Sequence, residues 1–296
     1  MRLGELSGGS SVMSKTDYIA SNWMPITLPN GSCYKLCLLD TNALSEIVKN
    51  PTIEGRGYVE RFPPSEYVPC FTPYNLIELR RDTRVFARFV DFFRVYPSFL
   101  TNPFQFILDS EANVNGRTSV NEIVLYAFSS LGDSDDFTAL IDRLFSDPVI
   151  NRLEDDWRTR DEETLDKWMR NKSNFEPINL TPNSVDAKQF VETAAVDTLC
   201  HLHPDLAEKC IENNTLKILH SLPSLLIMLY SQYYRIFDDN WSPSDQEVTD
   251  VCISACSPYV DAVVTEKFQA EIYRKVSKQI PGMELEIAKL RDIRYV

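Results

Sequence analysis

Tyr34-Lys35-Leu36-Cys37-Leu38-Leu39-Asp40-Thr41-Asn42 runs directly into Ala43-Leu44-Ser45-Glu46-Ile47-Val48-Lys49-Asn50-Pro51. Tyr34–Leu39 is a short apolar run, the pattern of a strand buried on both faces. Asp40, Thr41 and Asn42 are helix-starting residues, because a short polar side chain can accept a hydrogen bond from the free backbone N–H groups of a first turn. A helix is predicted to follow, and Pro51 must end it. The stretch therefore reads as a strand handing over to a helix, with Asp40 at the carboxyl end of a parallel strand.

The flanking sequence repeats this grammar. Tyr67–Phe71 is a second strand candidate, after which Thr72 offers an N-cap and Pro73 a first helical position. The helix from Pro73 carries Glu78 and runs, with a break, through Phe89 and Phe93. Ser242 with Asp245, or Ser244 with Glu247, forms a capping-box signature for a helix reaching about Cys256. Pro258-Tyr259 ends it, Val260–Thr265 reads as a buried strand, and Glu266 opens a last helix through Ser277, with a charged segment after it. Between them, amphipathic stretches at 119–130, 134–146, 150–172, 184–200, 204–220 and 222–237 show helical spacing, as in Leu153, Trp157, Leu165, Trp168 and Met169. The expected organisation is a poorly ordered lead-in over 1–32, an α/β core over 33–100 and 240–296, and an all-helical insertion over 101–239. Strand and helix alternation favours a parallel sheet. Ligands of such sheets bind beyond the carboxyl ends of the strands, where Asp40 and Glu266 are both placed.

Composition narrows the function. The 296 residues carry a formal net charge of −13, which argues against a surface that coats nucleic acid non-specifically. Only 9 Gly stand against 17 Pro, so flexible linkers are not expected. The 7 cysteines include no C-x-x-C pair and sit mostly in apolar strings, as reduced core thiols do. The N-terminus has no apolar signal region, and the longest apolar run, Leu222–Tyr230, is interrupted by Pro223 and Ser224. A cytoplasmic protein without membrane contact is expected.

Four acids stand out by position: Asp40 and Glu266 at strand ends, Glu78 early in a helix with apolar neighbours, and Asp250 mid-helix between Val248 and Val251. Each has a plainer reading. Asp40 could serve only as a helix cap, Glu78 as a surface residue, Asp250 as a partner for a basic side chain, and Glu266 as a first-turn acid favoured by the helix dipole.

The string Leu38-Leu39-Asp40-Thr41-Asn42 resembles the opening strand of PIN-domain nucleases, which read as apolar residues followed by D-T/S-N. Val68 through Leu79 (VPCFTPYNLIEL) is similar to their second strand and the helix bearing an acidic residue. Asp250 through Glu266 (DVCISACSPYVDAVVTE) is similar to their third block, where an aspartate is followed by a strand ending in T-D or T-N. The Pro258-Tyr259 string looks closest to a bacterial PIN-like branch. The resemblance spans residues 33–95 and 240–280, under half the chain, and departs from the family in having Glu266 where an aspartate is usual. It implies a PIN-like three-layer core and an endonuclease, chiefly of RNA, leaving a 5′-phosphate and a 3′-hydroxyl. It further implies that Asp40, Glu78, Asp250 and Glu266 hold Mg²⁺ or Mn²⁺, with Thr41 supporting Asp40, Asn42 orienting the loop or touching phosphate, and Glu247 and Asp261 in reserve. As to Asp261, capping the strand is the stronger expectation.

Such a site has chemical logic. A hard cation prefers oxygen ligands and keeps several waters, so two to four carboxylates suffice, and it relieves the repulsion that gathering them creates. Arg80, Arg81, Arg84, Arg88 and Arg94 follow Glu78 and form a basic strip suited to a phosphate backbone, unless they pair with the excess acids. Lys267, Arg274, Lys275 and Lys278 form a second strip. Tyr74 and Tyr259 are considered as base-stacking residues, with core packing the stronger expectation for both. His201 and His203 precede Pro204 and are assigned a loop or cap role. Competing readings are a DNA nuclease of the same chemistry, a catalytically degenerate PIN-like module that binds a protein or a second copy through the insertion, and a purely helical scaffold.

Overall fold

A computed structural model describes residues 26–27, 33–114, 118, 123–128, 134–174, 185–212, 218–237, 245–280 and 282–293. The strands are β1 (Ile26–Thr27), β2 (Cys33–Leu39), β3 (Tyr67–Phe71), β4 (Ser98–Thr101), β5 (Val124–Phe128), β6 (Ala262–Thr265) and β7 (Glu286–Lys289). They form one sheet in the order β5-β4-β3-β2-β6-β7, with β1 on β2. Five strands, β4-β3-β2-β6-β7, run parallel. β5 joins β4 antiparallel at one edge, and β1 joins β2 antiparallel. The presence of this sheet rules out the purely helical scaffold.

Along β2, Leu36 and Leu38 enter one core, while Cys37 and Leu39 enter another. β3 and β6 alternate in the same way: Val68, Cys70 and Val263 face the first core, and Phe71, Ala262 and Val264 the second. Side chains of a strand point to opposite faces in turn, so the two cores are the two faces of the sheet. Helix α1 (Thr41–Lys49), leaving β2, covers the second face with Ala43, Leu44, Ile47 and Val48. Pro51 ends α1 as expected, but the chain stays helical through a π-type turn (Pro51–Gly55) into α2 (Arg56–Arg61). Proline lacks only a donor that a first turn leaves unpaired anyway.

α3 (Pro73–Arg80) and α4 (Thr83–Phe93) follow β3, separated at Asp82, whose carboxylate caps α4. After β4 come α5 (Phe104–Val114), α6 (Ser134–Ser146), α7 (Pro148–Asn174), α8 (Val185–Leu202), α9 (Pro204–Glu212) and α10 (Pro223–Ile236). α11 (Asp245–Ser254) and a 3₁₀ turn at Ser257–Tyr259 lead into β6, and α12 (Lys267–Val276) follows it. α13 (Leu290–Ile293) follows β7.

The expectation of an all-helical 101–239 needs correction. Within it, residues 124–128 are a strand, although 119–130 shows helical spacing; a short apolar run reads either way until its partner is known. α10 is also no appendage, since Leu226, Tyr230, Tyr233 and Ile236 share the core of Leu36, Leu38 and Val263. The expected lead-in falls outside the described residues over 1–25 and 28–32, but 26–27 add a short strand. The capping serines 242 and 244 also lie outside the described residues. No helix among the described residues is long and apolar enough to cross a membrane.

Candidate functional site

The chain lays down β2, then β3 and β4 on one side of it, and returns to place β6 on the other side. α1 leaves β2 on one face and α12 leaves β6 on the opposite face, as Ile272, Tyr273 and Val276 show by joining the first core. Strands whose helices depart to opposite faces leave a crevice beyond their carboxyl ends, where sheets of this kind bind ligands. Asp40 and Glu266 are the residues directly after β2 and β6.

Asp40 is 3% exposed, and its Oδ1 accepts a 2.6 Å hydrogen bond from the Ala43 backbone N–H. The plain capping role is therefore real. Its Oδ2 accepts from the Thr265 hydroxyl and, at 3.4 Å, from the Glu266 N–H. Burial, followed by the charge of Asp250, pushes the Asp40 carboxyl up to about 7 in spite of these donors. Burial also raises Glu78 and Glu266, and in both the charge of Asp250 adds to it. Asp250 is itself raised by burial, while the Arg235 guanidinium pulls it back down. Asp250 thus acts on the other three acids, and Glu266 adds to the rise of Asp40.

The second element of the site is a relay from α3 to α1. Thr72 and Asn75 form a reciprocal capping box at the start of α3. The Asn75 Nδ2 donates to the Thr41 hydroxyl at 3.1 Å, and Thr41 in turn hydrogen bonds Glu78. The expectation that Thr41 supports Asp40 is corrected: Thr41 serves Glu78, and Thr265 serves Asp40. Asn42, one position further round the first turn of α1, is exposed at the rim.

Asp261 also needs correction as a reserve ligand. It precedes β6 at the amino end of that strand, where Oδ2 accepts from the Leu36 N–H at 2.7 Å. It pins the start of the β2–β6 pairing, on the far edge from Asp40. Glu247 does lie in the site, but as an ion-pair partner of Arg235.

Arg235 is the residue that the sequence reading missed. It closes α10, its side chain is 0% exposed, and it reaches Glu247, Asp250 at 3.0 Å and the Gln269 side chain. Its guanidinium carbon lies 5.5 Å from the centre of the Phe268 ring. The signal was present: a single charge in Leu222–Phe237, an apolar run that otherwise reads as core. Charged residues are almost never fully buried without a partner. Thr265 and Gln269 were missed for a different reason, since polar side chains next to a strand end give no pattern until the neighbouring strand is known.

Of the basic strip, Arg80 is drawn away to Glu154 at 3.4 Å and over the Phe145 ring, and Arg94 lies 3.6 Å from Asp91. Arg81, Arg84 and Arg88 are exposed, and Arg81 lies near enough to Glu78 to counter its rise. Lys267 is exposed at the start of α12; Arg274 pairs with Glu271, and Lys275 lies over the Tyr234 ring. Tyr74 and Tyr259 are core residues. The Tyr74 hydroxyl accepts from the Phe104 N–H, and the Tyr259 hydroxyl donates to Glu111 at 2.6 Å. Neither offers a ring face to a base. Cys37, Cys70, Cys210 and Cys256 are buried, Cys252 is half-buried and Cys200 exposed.

Among the described residues, no three His, Cys, Asp or Glu side chains stand together as a ready ligand set for a metal ion. Asp250 is turned to Arg235, and both Asp40 oxygens are engaged by donors. The donors are carboxylate and hydroxyl oxygens, the kind a hard cation takes, and Asp40 is pushed up to about 7 first by burial and then by the charge of Asp250. A Mg²⁺ ion commonly takes one or two carboxylates and completes its shell with water and phosphate oxygens. Set against protein-family models, curated proteins and solved structures, the chain matches none.

Proposed function

We propose that this chain is a metal-dependent phosphodiesterase of PIN-like type that cleaves RNA endonucleolytically. The observation that carries the reading is the placement of Asp40 and Glu266 directly after the carboxyl ends of β2 and β6, with Asp250 near enough that its charge raises both of them and Glu78. Repulsive charge is concentrated where a sheet of this topology binds ligands.

Asp40, Glu78, Asp250 and Glu266 are the residues that would hold Mg²⁺ or Mn²⁺, which when bound supplies an activated water and neutralises charge on the phosphate oxygens. The chain's own residues fix the geometry. Thr265 and the Ala43 N–H hold the Asp40 carboxyl in one orientation, and the Asn75–Thr41 relay holds Glu78. Preorganised groups of this kind avoid the cost of reorganisation at the moment of reaction. Arg81, Arg84 and Arg88, exposed beyond Glu78, provide the cationic path for the substrate backbone, against the −13 charge of the whole chain.

A second reading, a PIN-like module that binds a partner without cleaving, is favoured by Arg235, whose guanidinium already engages Asp250 and Glu247. The two readings separate in one assay. End-labelled single-stranded RNA and DNA are incubated with the purified protein and Mn²⁺ or EDTA, beside Asp40→Asn. Mn²⁺-dependent cleavage of RNA that Asp40→Asn abolishes supports the nuclease. Cleavage of DNA alone corrects the substrate. No cleavage of either strand by the wild type supports the binding module.

A further inference from the structure

One face of α4 carries a pattern that the crevice does not use. Residues 81–96 hold four arginines, Arg81, Arg84, Arg88 and Arg94, against two acids, in a chain where Asp and Glu outnumber Lys and Arg by 43 to 30. Of those two acids, Asp82 is turned to the backbone N–H groups that it caps, and Asp91 to Arg94. Arg81, Arg84 and Arg88 are exposed and have no ion-pair partner among the described residues. Arg84 and Arg88 lie one turn apart, the next turn of the same stripe carries Phe92, and Tyr96 follows just past the helix end. The Phe92 and Tyr96 rings are half-buried, with centres 5.6 Å apart. Their inner sides are fixed by the buried Phe93 ring, at 4.9 and 6.2 Å, and Phe92 lies so close to Gly55 that a Cβ there would come within 2.8 Å of its ring. Val95, 60% exposed, and Ile53, 59% exposed on the turn that holds Gly55, add apolar surface at this end.

A row of unpaired cations attracts phosphate, and a ring packed on one side and partly open to solvent is a platform for a planar base. We propose that this stripe of α4 binds single-stranded nucleic acid, with Arg81, Arg84 and Arg88 on its phosphates and the Phe92–Tyr96 pair stacking a base. Arg84 to Phe92 covers about 12 Å of helix, so charge and ring meet the same short stretch of strand. In a duplex the bases are already stacked on one another, and the rings would meet only sugar and phosphate. An acidic peptide would answer the arginines but leave the rings without a partner. Such binding rests on the nucleic-acid reading of the chain but not on its metal, since no residue of the stripe is a candidate ligand.

The test is equilibrium binding by the full-length protein in EDTA, followed by fluorescence anisotropy. The probes are a labelled oligouridylate, an abasic strand of equal length and charge, and an RNA duplex. The proteins are wild type, Phe92→Leu with Tyr96→Leu, which keeps apolar bulk but removes the rings, and Arg84→Gln with Arg88→Gln; circular dichroism checks each fold. Wild type should bind the oligouridylate about tenfold or more tighter than the abasic strand or the duplex. The leucine pair should lose that preference with its salt dependence unchanged, whereas the glutamine pair should keep the preference and show a salt slope shallower by roughly 0.7 for each phosphate released. Equal affinity for the oligouridylate and the abasic strand, or a folded leucine pair that binds as wild type does, overturns the assignment, and so does the absence of binding to any strand. Competition by polyglutamate as strong as that by unlabelled oligouridylate gives the stripe to an acidic protein instead. Should the leucine pair fail to fold, the abasic comparison on wild type decides alone. Binding as expected without Mn²⁺-dependent cleavage ends the enzyme reading and leaves this site; cleavage without base preference does the reverse.

Discussion

Replacing Asp40 with asparagine should make this protein more stable at neutral and alkaline pH, although it removes a buried hydrogen-bonding acid. The carboxyl has an ordinary value of 3.8 and is pushed to about 7 in the fold, chiefly by burial and then by Asp250. Its proton is bound more tightly folded than unfolded. Stability therefore falls as pH rises from about 4 to about 7, and the loss is complete above that window. At about 1.4 kcal/mol for each pH unit between the two values, the ionised carboxylate costs the fold about 4 kcal/mol at pH 8.

Asparagine keeps an acceptor for the Ala43 N–H and an amide that the Thr265 hydroxyl can meet, so only about 1–2 kcal/mol of charge-assisted hydrogen bonding is given up. The net gain at pH 8 should be about 2 kcal/mol. At pH 4, where Asp40 is protonated in the folded wild type, the two proteins should agree within about 1 kcal/mol. Urea unfolding followed by circular dichroism at pH 4, 6 and 8 measures this. An Asp40→Asn protein less stable than wild type at pH 8, or a difference that does not change with pH, would mean that burial and the Asp250 charge do not hold the Asp40 carboxyl up to about 7. A site kept for function at the expense of stability is the expected counterpart of such a gain.

The neighbouring acid should behave in the opposite way. Asp250→Asn strips a partner from the buried Arg235 and should destabilise by about 3–5 kcal/mol, measured in the same urea titration, even though it too should abolish cleavage. Arg81→Ala, Arg84→Ala and Arg88→Ala together should weaken single-stranded RNA binding without changing the fold. They should also make the plot of log affinity against log salt shallower, by roughly 0.7 for each phosphate no longer neutralised, read by fluorescence anisotropy. Tyr259→Phe removes a hydroxyl that bonds the buried Glu111 and should cost about 1–3 kcal/mol of stability while leaving RNA affinity unchanged; a fall in affinity instead would return Tyr259 to the binding surface.

Legibility of the fold in the sequence followed burial. β2, β3 and β6 are buried through their central residues, and such strands appear as apolar runs with no alternation to confuse them. β4 is only four residues, and β7, Glu286–Lys289, carries charge at both ends because it lies at the sheet edge, where charged side chains discourage pairing with other chains. Neither offers a run to read. β5 owes its form to β4, a partner about 25 residues away, which overrode a helical spacing. The positions of Asp40, Glu78, Asp250 and Glu266 in the fold were legible because each sits at the end of a readable element or in its apolar stretch. Thr41 was assigned to the wrong carboxylate because only the packing of α3 on α1 brings Glu78 to it. Arg235 lies in the segment set apart as an insertion, and only the docking of α10 against α11 and α12 carries it to Asp250.

The whole functional proposal reduces to a divalent cation bound at the crevice beyond β2 and β6. Crystals grown with Mn²⁺ and measured with anomalous scattering locate it directly. A strong anomalous peak is expected, bonded to an Asp40 carboxylate oxygen and within reach of Glu78, Asp250 and Glu266. An empty crevice at saturating Mn²⁺, or a peak bound only elsewhere on the surface, would end the case for a metal-dependent nuclease.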